Sequence, residues 1–314
     1  MTSVIYAFIV VAAISGPEPA PNGKAASPPL PEEAAAVAAI EAAGGHVRYD
    51  HDGRAWSVLV NSRRFTDADM PAIGRLPGVR DVDLMGCAVT DSGLVHLVGL
   101  KALRRVRLDA DDITDAGLKT LGGISSLESL GLFGTRVTSA GLSHLAGLNR
   151  LRDLTLSATS VGDDGMEFVA AHAGLRSLSL GPNVTVAGLA KLSRLTDLDH
   201  LSVPRGTDES ALVHFGGMKK LRLLSGVAIR TDAGLRRVAG LTALCGLSLD
   251  KSGVTDAGLE ALEGMKALGS LSLRDTRIGD RGLAHLERLA RIEHLDLYNT
   301  RVTDDGLRSL SKMS

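Results

Sequence analysis

One hexapeptide recurs along this 314-residue chain on an almost fixed beat, and that beat limits the fold more than any other feature. It reads VTDAGL at Val254–Leu259, and its first position falls at Phe65, Val89, Ile113, Val137, Val161, Val184, Thr207, Arg230, Val254, Ile278 and Val302. The intervals are 24 residues four times, 23 three times and 24 three times. Self-similarity at such a period is the signature of a solenoid built from one repeated supersecondary unit. Ahead of each motif stands an L-x-x-L-x-L stretch, as in Leu127-Leu130-Leu132 and Leu268-Leu271-Leu273. After it comes an apolar i, i+3, i+6 series such as Leu94-Leu97-Leu100 or Leu283-Leu286-Leu289. The first pattern is a short strand with alternating side chains, the second a short helix with one apolar stripe. Neither can be buried within a single unit, so neighbouring units must stack and share one core.

Over roughly Ala55 to Met313 the eleven copies resemble the leucine-rich repeat family. The nearest subtype is the bacterial VTDAGL-type repeat, similar to ribonuclease-inhibitor-like and F-box-associated repeats. The resemblance implies a right-handed α/β horseshoe with parallel strands on the concave face and short helices on the convex face. It also implies an inward polar residue, three past the last strand leucine, that bonds the backbone of the neighbouring turn. That position holds Cys87, Asp111, Thr135, Thr159, Asn183, Ser252, Thr276 and Thr300, whereas Gly206 and Ile229 depart from it. The three 23-residue intervals each lose one residue in the strand-to-helix loop, where deletions are best tolerated.

The domain plan divides as 1–16, 17–31, 32–54 and 55–314. Val4–Ile14 is an unbroken apolar run, too short to span a bilayer, with small residues Ala13, Ser15 and Gly16 near a plausible cleavage point. It reads as a signal peptide, although Met1-Thr2-Ser3 carries no basic residue; a retained anchor or a cytoplasmic location stays open. Six of the ten prolines fall between Pro17 and Pro31, a linker unable to bury a core. Glu32–Ala43 is a strong helix former closed by Gly44-Gly45, and HVRYDHDGRAWSVLV reads as a hairpin turning at Asp52-Gly53. Together they cap the first repeat.

The recurring Thr-Asp pair suggests catalysis in isolation and punctuation in repetition. Placed just before an apolar helical stripe, Thr and Asp accept the free N–H groups of the first turn. His96, His144, His214 and His285 share one helix column in non-adjacent repeats, too far apart to share a metal. His172 stands in a column that is otherwise apolar, so a backbone partner is expected for it. There is no Gly-rich phosphate loop, no G-x-S-x-G and no paired-cysteine motif, and nothing calls for a cofactor. Cys87 and Cys245 lie seven repeats apart, roughly 34 Å at about 4.8 Å per strand, and cannot pair. Cys87 is expected to be buried and Cys245 to face outward. With a net charge of −1 and 3% aromatics, neither nucleic acid nor an anionic membrane is indicated as partner.

On the concave face the residue between the last two strand leucines runs Leu59, Asp83, Arg107, Gly131, Thr155, Ser179, Ser202, Ser225, Ser248, Ser272 and Asp296. Near one end Asp81 and Asp83 lie beside Arg105 and Arg107, either as cross-strand ion pairs or as a polar docking patch. Near the other, Asp250, Arg274 and Tyr298 form a row with His294 and Asp296 beside it. Tyr and Arg are the residue types that most often anchor interfaces, so Phe133, Arg274 and Tyr298 are the preferred anchors. The expected function is that of a non-catalytic, monomeric module binding a protein on its concave face. The alternative is an intracellular substrate-recognition subunit, disfavoured because residues 1–54 hold no F-box.

Overall fold

The computed structural model describes residues 30–310. The signal-peptide reading, most of the Pro-rich segment and Ser311–Ser314 therefore lie outside the described residues. The cap begins with a helix, Ala34–Ala42, whose Ala36, Val37 and Ile40 are buried. Glu33 does not cap it with its side chain; Glu33 is buried, and its Oε2 accepts the Ala55 N–H at 2.9 Å. Strands β1 (Gly45–Tyr49) and β2 (Ala55–Val60) then pair antiparallel. Asp50 Oδ1 accepts the N–H groups of Asp52 and Arg54, each at 3.0 Å, and Gly53 takes φ +78°. That left-handed φ is why the turn needs glycine.

From β2 onward the strands are parallel: β3 (Asp81–Asp83), β4 (Arg105–Arg107), β5 (Ser129–Gly131), β6 (Asp153–Thr155), β7 (Ser177–Ser179), β8 (His200–Asp208) and β9 (Leu223–Ala228). The register aligns one apolar column through Val58, Val82, Val106, Leu130, Leu154, Leu178, Leu201 and Leu224. Helix leucines such as Leu94, Leu118 and Leu235 close over it and are fully buried. Each buried leucine contributes about 1.5–3 kcal/mol, and the column is continuous from repeat to repeat.

The expected single sheet is interrupted. A second sheet holds β10 (Gly246–Ser248), β11 (Ser270–Ser272) and β12 (His294–Asp296), and no ladder joins β9 to β10. The break lies where the shortened repeats lie. With one residue lost, the loop after β8 straightens into strand, and the pairing with β9 shifts register between Ser202 and Thr207. Gly226, at φ +97°, brings β9 onto β8 so closely that a Cβ would sit 2.0 Å from the Val203 carbonyl oxygen.

The inward polar position also departs from expectation. Thr135, Thr159, Thr276 and Thr300 donate their hydroxyls to the carbonyls of Leu132, Leu156, Leu273 and Leu297 at 2.6–2.8 Å. These close the residue's own turn rather than the neighbouring one. Cys87 does reach the preceding repeat, its Sγ 3.5 Å from the Val60 carbonyl. Asn183 is exposed, because the deletion before it shifts it out of the column. In the next repeat Thr207 recovers the bond, donating to Pro204 O at 2.7 Å. Asp111 is the exception: it is 3% exposed, and neither carboxyl oxygen has a hydrogen-bond partner. Burial, then the charges of Asp109, Asp112 and Asp83, push it up to about 8. The Cys87 amide, its one favourable neighbour, is already bonded to Leu84 O at 3.1 Å.

The Thr-Asp pair divides its labour. Thr does cap its own helix: Thr114, Thr185 and Thr231 accept from Ala116, Ala187 and Gly234. Asp does not. Asp115 accepts the N–H and Oγ1–H of Thr138, in the next repeat, at 2.8 and 2.6 Å. Asp67, Asp91, Asp163, Asp232 and Asp280 hold Thr90, Thr114, Thr185, Thr255 and Thr303 in the same way. Glu209 does so for Thr231, and Asp256 takes the Gly279 N–H. Each carboxylate thus sits at the N-terminal end of the following helix, where its charge is favoured. The motif glycine makes room for it: a Cβ on Gly117 would lie 2.4 Å from Asp91 Oδ1, and on Gly258 2.1 Å from Asp232 Oδ1. VTDAGL is therefore a clamp between repeats as well as a cap.

Candidate protein-binding face

The concave positions read from the sequence are in register. Asp83, Arg107, Gly131, Thr155, Ser179, Ser202 and Ser225 pair in succession, as do Ser248, Ser272 and Asp296. The candidate residues, however, fall into two groups. Seven strand spacings separate Phe133, just past β5, from Tyr298, just past β12, roughly 34 Å at about 4.8 Å per strand.

In the first group the charges neutralise one another. Arg105 forks onto Asp81 with two bonds of 2.8 Å, and Asp81 is buried. Arg107 reaches Asp83 at 3.1 Å and Asp109 at 3.5 Å. Asp109 also accepts the Phe133 N–H at 2.9 Å; burial still holds its carboxyl above the ordinary range, against that bond and Arg107. Burial likewise raises Asp153, with Arg105 opposing. Phe133 projects from this network and is 40% exposed. Met85 occupies the same column two strands away and is also exposed. Sequence reading passed over Met85, although counting to the same position past the strand finds it.

The second group leaves its large side chains open. The Arg274 guanidinium lies over the Tyr298 ring, 4.1 Å from its centroid, and Tyr298 is 60% exposed. Asp275 stands 3.7 Å from Arg274 Nε and accepts Asn299 Nδ2 at 2.8 Å. Below the pair, Asp250 Oδ1 accepts the Ser272 hydroxyl and the Arg274 N–H, and Asp296 accepts the Tyr298 N–H at 2.8 Å. His294 is exposed in register with Ser270. Arg and Tyr are thus held side by side by their backbones while their side chains face outward. Such a stack presents a planar donor fork and an amphipathic ring with little rotamer freedom left to lose.

The remaining reactive types are placed structurally. Both ring nitrogens of buried His172 face backbone carbonyls, Nδ1 to Phe168 O at 3.0 Å and Nε2 to Leu145 O at 3.1 Å. The second contact reaches across to the preceding repeat. Cys87 is buried, and burial pushes its thiol up to about 11; Cys245 is half-buried rather than outward, with Sγ 3.6 Å from Ala243 O. Among the described residues, no three His, Cys, Asp or Glu side chains are grouped to hold a metal, and no helix is long and apolar enough to cross a membrane.

No protein-family model matches the chain, and no curated protein matches it. Among solved structures it is similar to an internalin of Listeria monocytogenes: 21% identity and a TM-score of 0.57, covering 77% of this chain and 81% of that one. The Leptospira interrogans LRR protein LIC12759 is 17% identical with a TM-score of 0.56, covering 78% and 67%. The ectodomain of the Arabidopsis thaliana receptor kinase GASSHO1/SCHENGEN3, in complex with CASPARIAN STRIP INTEGRITY FACTOR 2, is 18% identical with a TM-score of 0.50. There the match covers 85% of this chain but only 39% of that one. Repeat period, strand register and these neighbours agree: the chain folds as a leucine-rich-repeat solenoid, parallel strands lining one face and short helices the other.

Proposed function

We propose that this protein is a non-catalytic interaction module that docks a protein partner on the C-terminal third of its concave face. The observation that carries the reading is the Arg274–Tyr298 stack, a pair of interface-prone side chains left exposed on a backbone that is otherwise tied down. The row of small hydroxyls between the two groups supplies a flat polar approach, with Ser225 Oγ donating to Ser202 Oγ at 3.0 Å. Asp250, His294 and Asp296 form the rim of this patch, while Arg105, Arg107 and Phe133 form a second, separate group on the same face. Catalysis has no place in this reading, since the recurring Thr-Asp pairs are spent on stacking the repeats. The module acts outside the cytoplasm, exported by its N-terminal apolar segment.

A photo-crosslinking amino acid at Tyr298 tests the binding site. It should yield a discrete covalent adduct with a protein, and the same probe at His144 on the helical side should yield none. Adducts from both positions alike would defeat the assignment. Export is tested separately, by fusing residues 1–31 to a reporter active only outside the cytoplasm; retention in the cytosol would remove that part.

A further inference from the structure

The flank between strands and helices in the last three repeats carries a concentration of positive charge that the concave-face reading does not use. Lys251, Arg277, Arg281 and Arg301 line one open cleft of about 960 Å³, with His285 at its edge. All four cations are exposed, and no carboxylate or carbonyl bonds their side chains within the described residues. That differs from Arg104, Arg105, Arg107, Arg194 and Arg288, each of which has a carboxylate partner. The one acid lining the cleft is Asp256, and its Oδ1 is engaged by the Gly279 N–H at 2.8 Å. His285 is likewise held, by Glu263 at 3.0 Å. A chain of net charge −1 has here a local excess of four positive charges against one negative.

We propose that this cleft docks an acidic peptide segment. Three of its four cations are arginines, whose planar forks match carboxylates two bonds at a time. A single small anion would occupy only a fraction of the volume, whereas successive Asp or Glu side chains along an extended segment reach all four. The cleft has no Phe, Tyr or Trp on which a base could stack, and its one ring, the His285 imidazole, is tied to Glu263. Its cations are also confined to neighbouring repeats instead of forming a stripe that tracks a phosphate backbone. An acidic peptide is the class that fits both facts. The site lies off the concave patch and does not rest on the reading given to that patch.

The test uses the full chain and a fluorescein-labelled octapeptide of alternating Asp and Glu, followed by anisotropy at low salt. The expected result is saturable binding that weakens at least about tenfold for the triple variant Arg277→Glu, Arg281→Glu, Arg301→Glu, and weakens again between ~50 and ~300 mM NaCl. The milder Arg277→Ala, Arg301→Ala pair should fall between, which separates lost charge from lost fold. Arg274→Ala with Tyr298→Ala should bind the peptide within about twofold of the unmodified protein. Absence of peptide binding, an unaffected triple variant, or tighter binding of a single-stranded DNA octamer or a heparin octasaccharide would each overturn the proposal.

Discussion

Replacing Asp111 by threonine, the residue that four other repeats place at the same position, should stabilise the protein, and by an amount that depends on pH. Asp111 is buried with both oxygens unpartnered and its carboxyl is pushed up to about 8. In the unfolded chain it titrates near the ordinary value of about 3.9. Between those values the folded state holds a proton that the unfolded state has released, so stability falls as pH rises from about 4 to about 8. This is opposite in sign to a paired carboxylate. At pH 7 the accumulated cost is about three pH units at about 1.4 kcal/mol each, on the order of 4 kcal/mol. Threonine removes that cost, and its hydroxyl can bond Leu108 O as Thr135 bonds Leu132 O at 2.7 Å, adding about 1 kcal/mol. Relaxation around the side chain reduces the sum, so a net gain of about 2–4 kcal/mol is expected. Urea unfolding of both proteins at pH 7.0 and pH 4.5 measures it. Most of the gain should be gone at the lower pH. A variant less stable at pH 7, or a gain equal at both values, would refute the reasoning.

Three further outcomes follow from the stacking. Leu201→Ala, in the β8 position of the apolar column, should cost about 2–5 kcal/mol, and Asp115→Ala about 1.5–3 kcal/mol through loss of two bonds to Thr138; denaturation midpoints rank them, and neither should alter an activity. Gly258→Ala should be costly alone and much less so beside Asp232→Ala, because the added methyl collides with that carboxylate; a double-mutant cycle showing simple additivity would contradict the clamp. The bonds Asp67 accepts from Ser92 and Thr90 outweigh its burial and hold it below the ordinary range, so its contribution is present above pH 4 and lost as pH falls through its lowered value. Asp67→Asn should accordingly flatten the acid limb of the stability profile.

How much of this was legible before the structure varies by residue. The column from Val58 to Leu224 follows from counting, because a fixed period places equivalent residues on adjacent strands. For the same reason Arg274 and Tyr298 could be placed side by side, although their stacking could not. The clamp was misread because Thr and Asp are adjacent in sequence, while the bonds run from each Asp to a Thr 22 or 23 residues onward. Only the stacked geometry shows which carboxylate crosses a junction. The interrupted sheet had a visible trace in the 23-residue intervals. That trace gave the site of the deletion but not its consequence, a straightened loop after β8 and an expelled Asn183. Asp111 resembled its threonine neighbours in polarity; its lack of a partner depends on atoms from Cys87 and Asp109, a repeat apart and within the turn.

The most direct measurement is the affinity of a partner captured at Tyr298 for two paired variants of the full chain. Arg274→Ala with Tyr298→Ala removes the exposed stack, and His96→Ala with His144→Ala alters the helical side. Titration calorimetry should show the first pair weakening binding by at least about 2 kcal/mol, roughly thirtyfold. The second should stay within about 0.5 kcal/mol of the unmodified protein. Equal losses from both pairs, or a loss from the histidine pair alone, would contradict binding on the concave face.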